Sequence, residues 1–95
     1  MRKYEGMFII KPDLPQDAMQ NLINQIGEVI TKNSGQLESS DIWTEKKKMF
    51  FTIKRYNEGT YYLATFTLPP EAVAKLHQAY KLNEDILRVM ITSKE

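Results

Sequence analysis

The first ten residues constrain the fold more than any other stretch, because they alternate as a strand does and then turn apolar on both sides. Successive side chains of a strand point to opposite faces. Tyr4, Gly6, Phe8 and Ile10 therefore share one side, and Lys3, Glu5, Met7 and Ile9 the other. A strand whose far end is apolar on both faces belongs inside a sheet rather than at its edge. Strand one is thus expected at the centre, with later strands laid on both sides of it.

A chain of 95 residues is read as one domain, residues 1–95, with enough length for a single core. Its apolar share of 42% and charged share of 26% are those of a globular protein and argue against global disorder. Cysteine is absent, which excludes disulfides, thiolate metal sites and a cysteine nucleophile. No apolar run approaches the ~20 residues of a membrane helix, and no signal-peptide core is visible, so a soluble cytoplasmic protein without a membrane partner is expected. The net charge of +1 argues against a uniformly basic coat for nucleic acid. Any such contact must use local clusters, at Arg2-Lys3, Lys46-Lys47-Lys48, Lys54-Arg55 and Arg88.

After strand one, Lys11 to Pro15 reads as a connection. Met19, Leu22, Ile23, Ile26, Val29 and Ile30 follow at spacings of three and four, the single stripe of an amphipathic helix. Gly35 is expected to end that helix as a left-handed cap. An extended region from about Gln36 to Arg55 has Met49, Phe51 and Ile53 on one face and Lys46, Lys48, Phe50, Thr52 and Lys54 on the other. Tyr56 to Gly59 reads as a turn, with the next strand running from Thr60 to Leu68. Pro69-Pro70-Glu71 opens a second helix with Val73, Leu76 and Tyr80 as its stripe. The last strand, Ile86 to Thr92, is expected to face Leu87, Val89 and Ile91 one way and Ile86, Arg88 and Met90 the other.

The order is strand, helix, strand, strand, helix, strand, which predicts an α+β, ferredoxin-like βαββαβ fold. Right-handed crossovers put two helices on one face of a four-stranded antiparallel sheet, with the first and third strands central. The helix stripes cover one face, and nothing in the chain is left to cover the other. If Tyr4, Phe8 and Ile10 meet the helices, the uncovered side carries Met7, Ile9, Tyr61, Leu63, Arg88 and Met90. Such a patch either docks a partner or is a set of ordinary half-exposed sheet residues. Base stacking is not expected there, since strand one offers Met7 and Ile9 and the glycine-rich aromatic motif of single-stranded RNA readers is absent.

Nothing points to catalysis. His77 is the single histidine, beside Leu76 on a helix, and is read as a helix-surface residue. The carboxylates Glu38, Asp41, Glu84 and Asp85 form no recognisable acid/base pair, and no glycine loop cradles phosphate. The chain is read as a non-enzyme with no cofactor and no metal. Lys46, Lys47 and Lys48 are either a solvated strand face or phosphate contacts.

At this point the chain resembles the family of protein six of the bacterial small ribosomal subunit. Met1 to Glu5, Ile10-Lys11-Pro12-Asp13-Leu14, Lys46 to Ile53, Tyr61-Tyr62-Leu63 with Pro69, and Asn83 to Ile91 carry the resemblance, which spans nearly the whole chain. Trp43-Thr44-Glu45 stands where members have Trp-Gly, and Phe50 where they have alanine. The resemblance implies a ribosomal, cytoplasmic protein that binds the central domain of small-subunit rRNA together with small-subunit protein eighteen, and no DNA. It makes Arg2, Lys3, Tyr4 and Arg88, then Lys46, Lys47 and Lys48, the rRNA-contact candidates. Met7, Ile9, Phe50, Tyr61, Leu63 and Met90 are the partner-contact candidates. A homodimeric ferredoxin-like module that binds a small regulatory molecule is the alternative of a different class.

Overall fold

A computed structural model describes residues 1–94, with the side chains of residues 44–47, 50 and 51 outside the description. The elements are β1 (Arg2–Ile10), α1 (Gln16–Lys32), β2 (Gln36–Ile53), β3 (Tyr56–Leu68), a 3-10 turn (Pro70–Ala72), α2 (Val73–Lys81) and β4 (Ile86–Ser93). The sheet order is β2-β3-β1-β4 and its pairings are antiparallel, so β1 and β3 are central as the sequence predicts. No helix of the described residues is long and apolar enough to cross a membrane.

The main core lies between the helices and one sheet face. Tyr4, Phe8 and Ile10 of β1 and Tyr62, Ala64, Phe66 and Leu68 of β3 meet Leu22, Ile26 and Ile30 of α1 and Leu76 and Tyr80 of α2. The expected stripe of α1 is the buried one, with Met19, Ile23 and Val29 packed along its margin. Phe8 is fully buried and meets Tyr80 edge-on at 4.9 Å between ring centroids. Truncation of such a ring to alanine costs ~3–5 kcal/mol.

Glycine acts differently from the sequence expectation at two places. At the end of α1 the left-handed residue is Ser34, φ 68, rather than Gly35. Gly35 N–H donates to Ile30 O and Ser34 N–H to Thr31 O, which is the Schellman pattern one residue earlier than expected. Gly35 is required for space, since a Cβ there would stand 2.7 Å from Thr67 O and 2.8 Å from Ile30 Cγ2. The β2–β3 turn likewise lies at Lys54-Arg55, not at Tyr56 to Gly59. Ile53 pairs with Tyr56, and φ is 48 at Lys54 and 75 at Arg55, the double positive φ of a type I′ loop. Each non-glycine residue held there costs ~1–2 kcal/mol. Gly59 continues β3, where a Cβ would meet Ile9 Cγ2 at 2.6 Å.

The hairpin is curled as well as long. The 18 residues of β2 face 13 of β3, with register shifts between Leu37 and Ser39, Ile42 and Thr44, Thr44 and Lys47, and Lys48 and Ile53. Extra residues on one strand bend a ladder and raise its twist. With β2 as the outer arc, the tip reaches across the end of β1 to β4, where Lys54 Nζ donates to Ile86 O at 3.4 Å. Met49 thereby forms a second small core with Ile9 and Leu87, edged by Ile53, Tyr56 and Tyr61. This corrects the expectation that nothing in the chain covers the second face: its hairpin end is covered.

A bulge in β4 corrects another expectation. Ile10 pairs with Ile86 and Ile9 with Arg88, leaving Leu87 as the extra residue. Ile86 consequently joins Val89 and Ile91 against the main core, and Leu87 joins Ile9 in the second core.

Candidate interaction face

The register sets the second sheet face out in rows. Leu63, Met7 and Met90 lie side by side across β3, β1 and β4, and the next row holds Tyr61, Ile9 and Arg88. Toward the other end Thr65, Glu5 and Thr92 form a polar row, followed by Thr67 and Lys3. Trp43 of β2 meets Tyr61 edge-on, with centroids 6.0 Å apart, and is 54% exposed. Met90 is 38% exposed, and Met7, Tyr61 and Leu63 are half-buried. The face is therefore apolar in its middle. Its far end is closed electrostatically, with Lys3 Nζ 3.2 Å from Glu38 and Lys94 Nζ 3.7 Å from Glu5. Both pairs are substantially exposed, so each contributes at most ~1 kcal/mol.

The predicted contact residues separate on this surface. Met7, Tyr61, Leu63 and Met90 do share one patch. Ile9 does not belong to it, because the hairpin leaves it only 3% exposed beneath Met49 and Leu87. Tyr4 is likewise withdrawn from the rRNA candidates: the residue is 7% exposed, its ring stacked on Phe66 at 6.1 Å inside the main core. Alternation puts Tyr4 on the helix side, and the apolar environment keeps it there. Arg2, on the same side at the start of β1, is exposed. Lys3 and Arg88 both lie on the open face but six β1 positions apart, about 20 Å. Lys48 is exposed, while the side chains of Lys46, Lys47 and Phe50 lie outside the described residues. Sequence reasoning missed Trp43 as a patch residue. Its signal, a lone tryptophan in weakly alternating sequence, becomes informative only when the register sets it against Tyr61.

The second face offers contact surface rather than chemistry. Among the described residues no group of three or more His, Cys, Asp or Glu side chains is placed to hold a metal ion. Among the described residues the perturbed groups are Tyr62 and Tyr80, both in the core, where burial pushes each phenol above its ordinary value.

Comparison with known proteins bears on the family and the fold. The profile of the family described as Ribosomal protein S6 matches residues 3–93. Small ribosomal subunit protein bS6 of Symbiobacterium thermophilum is 38% identical over 91 residues, covering 96% of this chain and 95% of its own. The protein of the same name from Moorella thermoacetica is 35% identical over 95 residues, covering 100% of this chain and 96% of its own. The fold is also similar to the crystal structure of 30S ribosomal protein S6 from Thermotoga maritima, with a TM-score of 0.86 and 26% identity, over 98% of this chain and 87% of that one. A profile match across nearly the whole chain, with relatives of similar length, means that the chain belongs to the ribosomal protein S6 family, structural and non-enzymatic proteins of the small ribosomal subunit.

Proposed function

We propose that this protein binds the central domain of small-subunit rRNA jointly with small-subunit protein eighteen, the apolar sheet face meeting the protein and flanking cations meeting phosphates. The observation that carries the reading is the row Leu63, Met7 and Met90 with Trp43 and Tyr61 beside it, in a chain of a ribosomal family. Aromatic residues and methionine are enriched at protein interfaces, and a contiguous apolar patch on a small domain marks a contact. Arg2, Lys48 and Arg88 are exposed and supply phosphate-binding charge, while a net charge of +1 suits a protein that shares its RNA contact with a partner. Lys46, Lys47 and Phe50 remain in the proposed contact set, and Lys3 contributes if it exchanges Glu38 for a phosphate. The homodimeric metabolite-binding alternative gains no support from a family of small-subunit proteins.

The test is a gel-shift titration on a central-domain rRNA fragment, with this protein alone and with protein eighteen, at two salt concentrations. Binding that tightens strongly with the partner and weakens with salt supports the proposal. A folded protein that leaves a competent RNA unbound in both mixtures refutes it.

A further inference from the structure

The curled hairpin creates a second feature away from the apolar face. Its tip brings Lys54 against the outer edge of β4, opposite the last turns of α2, and borders an open hollow of about 480 Å³. Ile86, Leu87 and Val89 give it an apolar edge along β4, and Lys54, His77, Gln78, Tyr80 and Lys81 complete the lining. Among the described residues no carboxylate lines this hollow. Four other hollows on the described surface each have one, Asp13, Glu28, Glu28 again and Glu71. Lys54 is held by its bond to Ile86 O and by the positive-φ turn, and its ammonium has two further N–H donors. His77, half-buried on α2, adds ring N–H capacity, and Gln78 an amide.

Resting on the rRNA-binding reading above, we propose that the groove between the hairpin tip, β4 and α2 seats a sugar-phosphate unit of an RNA strand, with Lys54, His77 and Lys81 on the phosphate and Leu87 and Val89 against the sugar or base. Charge complementarity selects the ligand: a cluster of donors without a carboxylate suits an anion, and the apolar edge suits a nucleotide better than a bare ion. The groove opens beside β4, the strand that also carries Arg88, so one RNA segment can pass from Arg88 to Lys54 along that edge.

The experiment compares the intact protein with a K54Q/K81Q variant, each with protein eighteen, in binding to the central-domain rRNA fragment across a salt series. Circular dichroism melts check that the variant is folded. Loss of both ammonium groups from that one phosphate is expected to flatten the slope of log K against log salt by about 0.7–0.9. NMR spectra of the wild-type protein are expected to show the His77 ring and the Leu87 and Val89 amides shifting with RNA at micromolar concentration, and only weakly with millimolar inorganic phosphate. Wild-type RNA binding with an unchanged slope in the variant overturns the groove and leaves the rRNA reading standing. Absence of wild-type RNA binding overturns both. Saturation of the same signals by inorganic phosphate, with no further shift from RNA, makes this a free-anion site and overturns the proposal. Loss of protein eighteen binding by the variant without RNA assigns the groove to an acidic protein segment and overturns it equally.

Discussion

The Tyr80 hydroxyl donates a 2.7 Å hydrogen bond to the Ile26 carbonyl oxygen and so fastens α2 to α1, whereas the Tyr62 hydroxyl is buried without a hydrogen bond of ordinary geometry. A weak Ser40 contact only partly offsets the burial of Tyr62. Tyr80→Phe is therefore expected to lower stability by ~1 kcal/mol, and Tyr62→Phe to leave it unchanged or raise it slightly. Urea unfolding of the two variants at neutral pH checks the contrast. Equal losses would mean that the Tyr62 hydroxyl has a partner in solution.

The same two phenols set an alkaline limit. Burial raises both above their ordinary value of 10.0, and in Tyr80 the neighbouring Tyr62 adds to the shift. A phenol whose folded pKa is raised holds its proton longer when folded, so its contribution is complete below the unfolded value and falls as pH rises above it. Stability should decline above about pH 10, by at most ~1.4 kcal/mol per pH unit for each phenol. Denaturation midpoints between pH 9 and 11 should fall less steeply in Tyr80→Phe.

Gly59 and Arg55 predict changes of opposite sign. A Cβ at Gly59 would lie 2.6 Å from Ile9 Cγ2 and 3.3 Å from Ile10 O, so Gly59→Ala should cost ~1–3 kcal/mol by overpacking. Arg55 holds φ 75 in the hairpin turn, and Arg55→Gly should gain ~0.5–1 kcal/mol by relieving it. Thermal melts of the two variants decide both signs.

For the interaction face, Trp43→Ala is expected to weaken the complex with protein eighteen by ~2 kcal/mol or more while leaving the isolated fold nearly as stable. Titration calorimetry with the purified partner measures it. An unaltered affinity would remove Trp43 from the contact.

The combined change Lys3→Ala and Arg88→Ala should weaken rRNA assembly and flatten its salt dependence without unfolding the protein. Filter binding over a salt series gives the slope. An unchanged slope would assign the phosphate contacts elsewhere.

These contrasts follow how much of the molecule could be read from residue types. The helix stripe from Met19 to Ile30 and the two-faced end of β1 were legible because periods of 3.6 and 2 are properties of local geometry. They yielded the element order, the central strands and the helix-covered face. Gly59 was misread because a glycine required for a close approach looks like a glycine required for a turn. The bulge at Leu87 was invisible since both Ile86 and Leu87 are apolar and either phase satisfies the pattern. Ile9 was misplaced for a nonlocal reason: its cover, Met49, comes from a hairpin whose curl depends on extra residues distributed along β2. Tyr4 shows the limit of transferring a contact by position, since its alternation with Phe8 already assigned it to the core side.

The ion pairs Lys3 with Glu38 and Glu5 with Lys94 also bear on how a partner can be mounted. They balance charge at one end of the open face, whereas the other end carries Trp43, Tyr61 and the cationic Arg88. The sheet thus has a heading, like a keyed plug. A helix or loop laid on it in reverse would press apolar side chains onto ion pairs and strand its own polar groups over Met7 and Leu63, a penalty that selects orientation independently of total affinity.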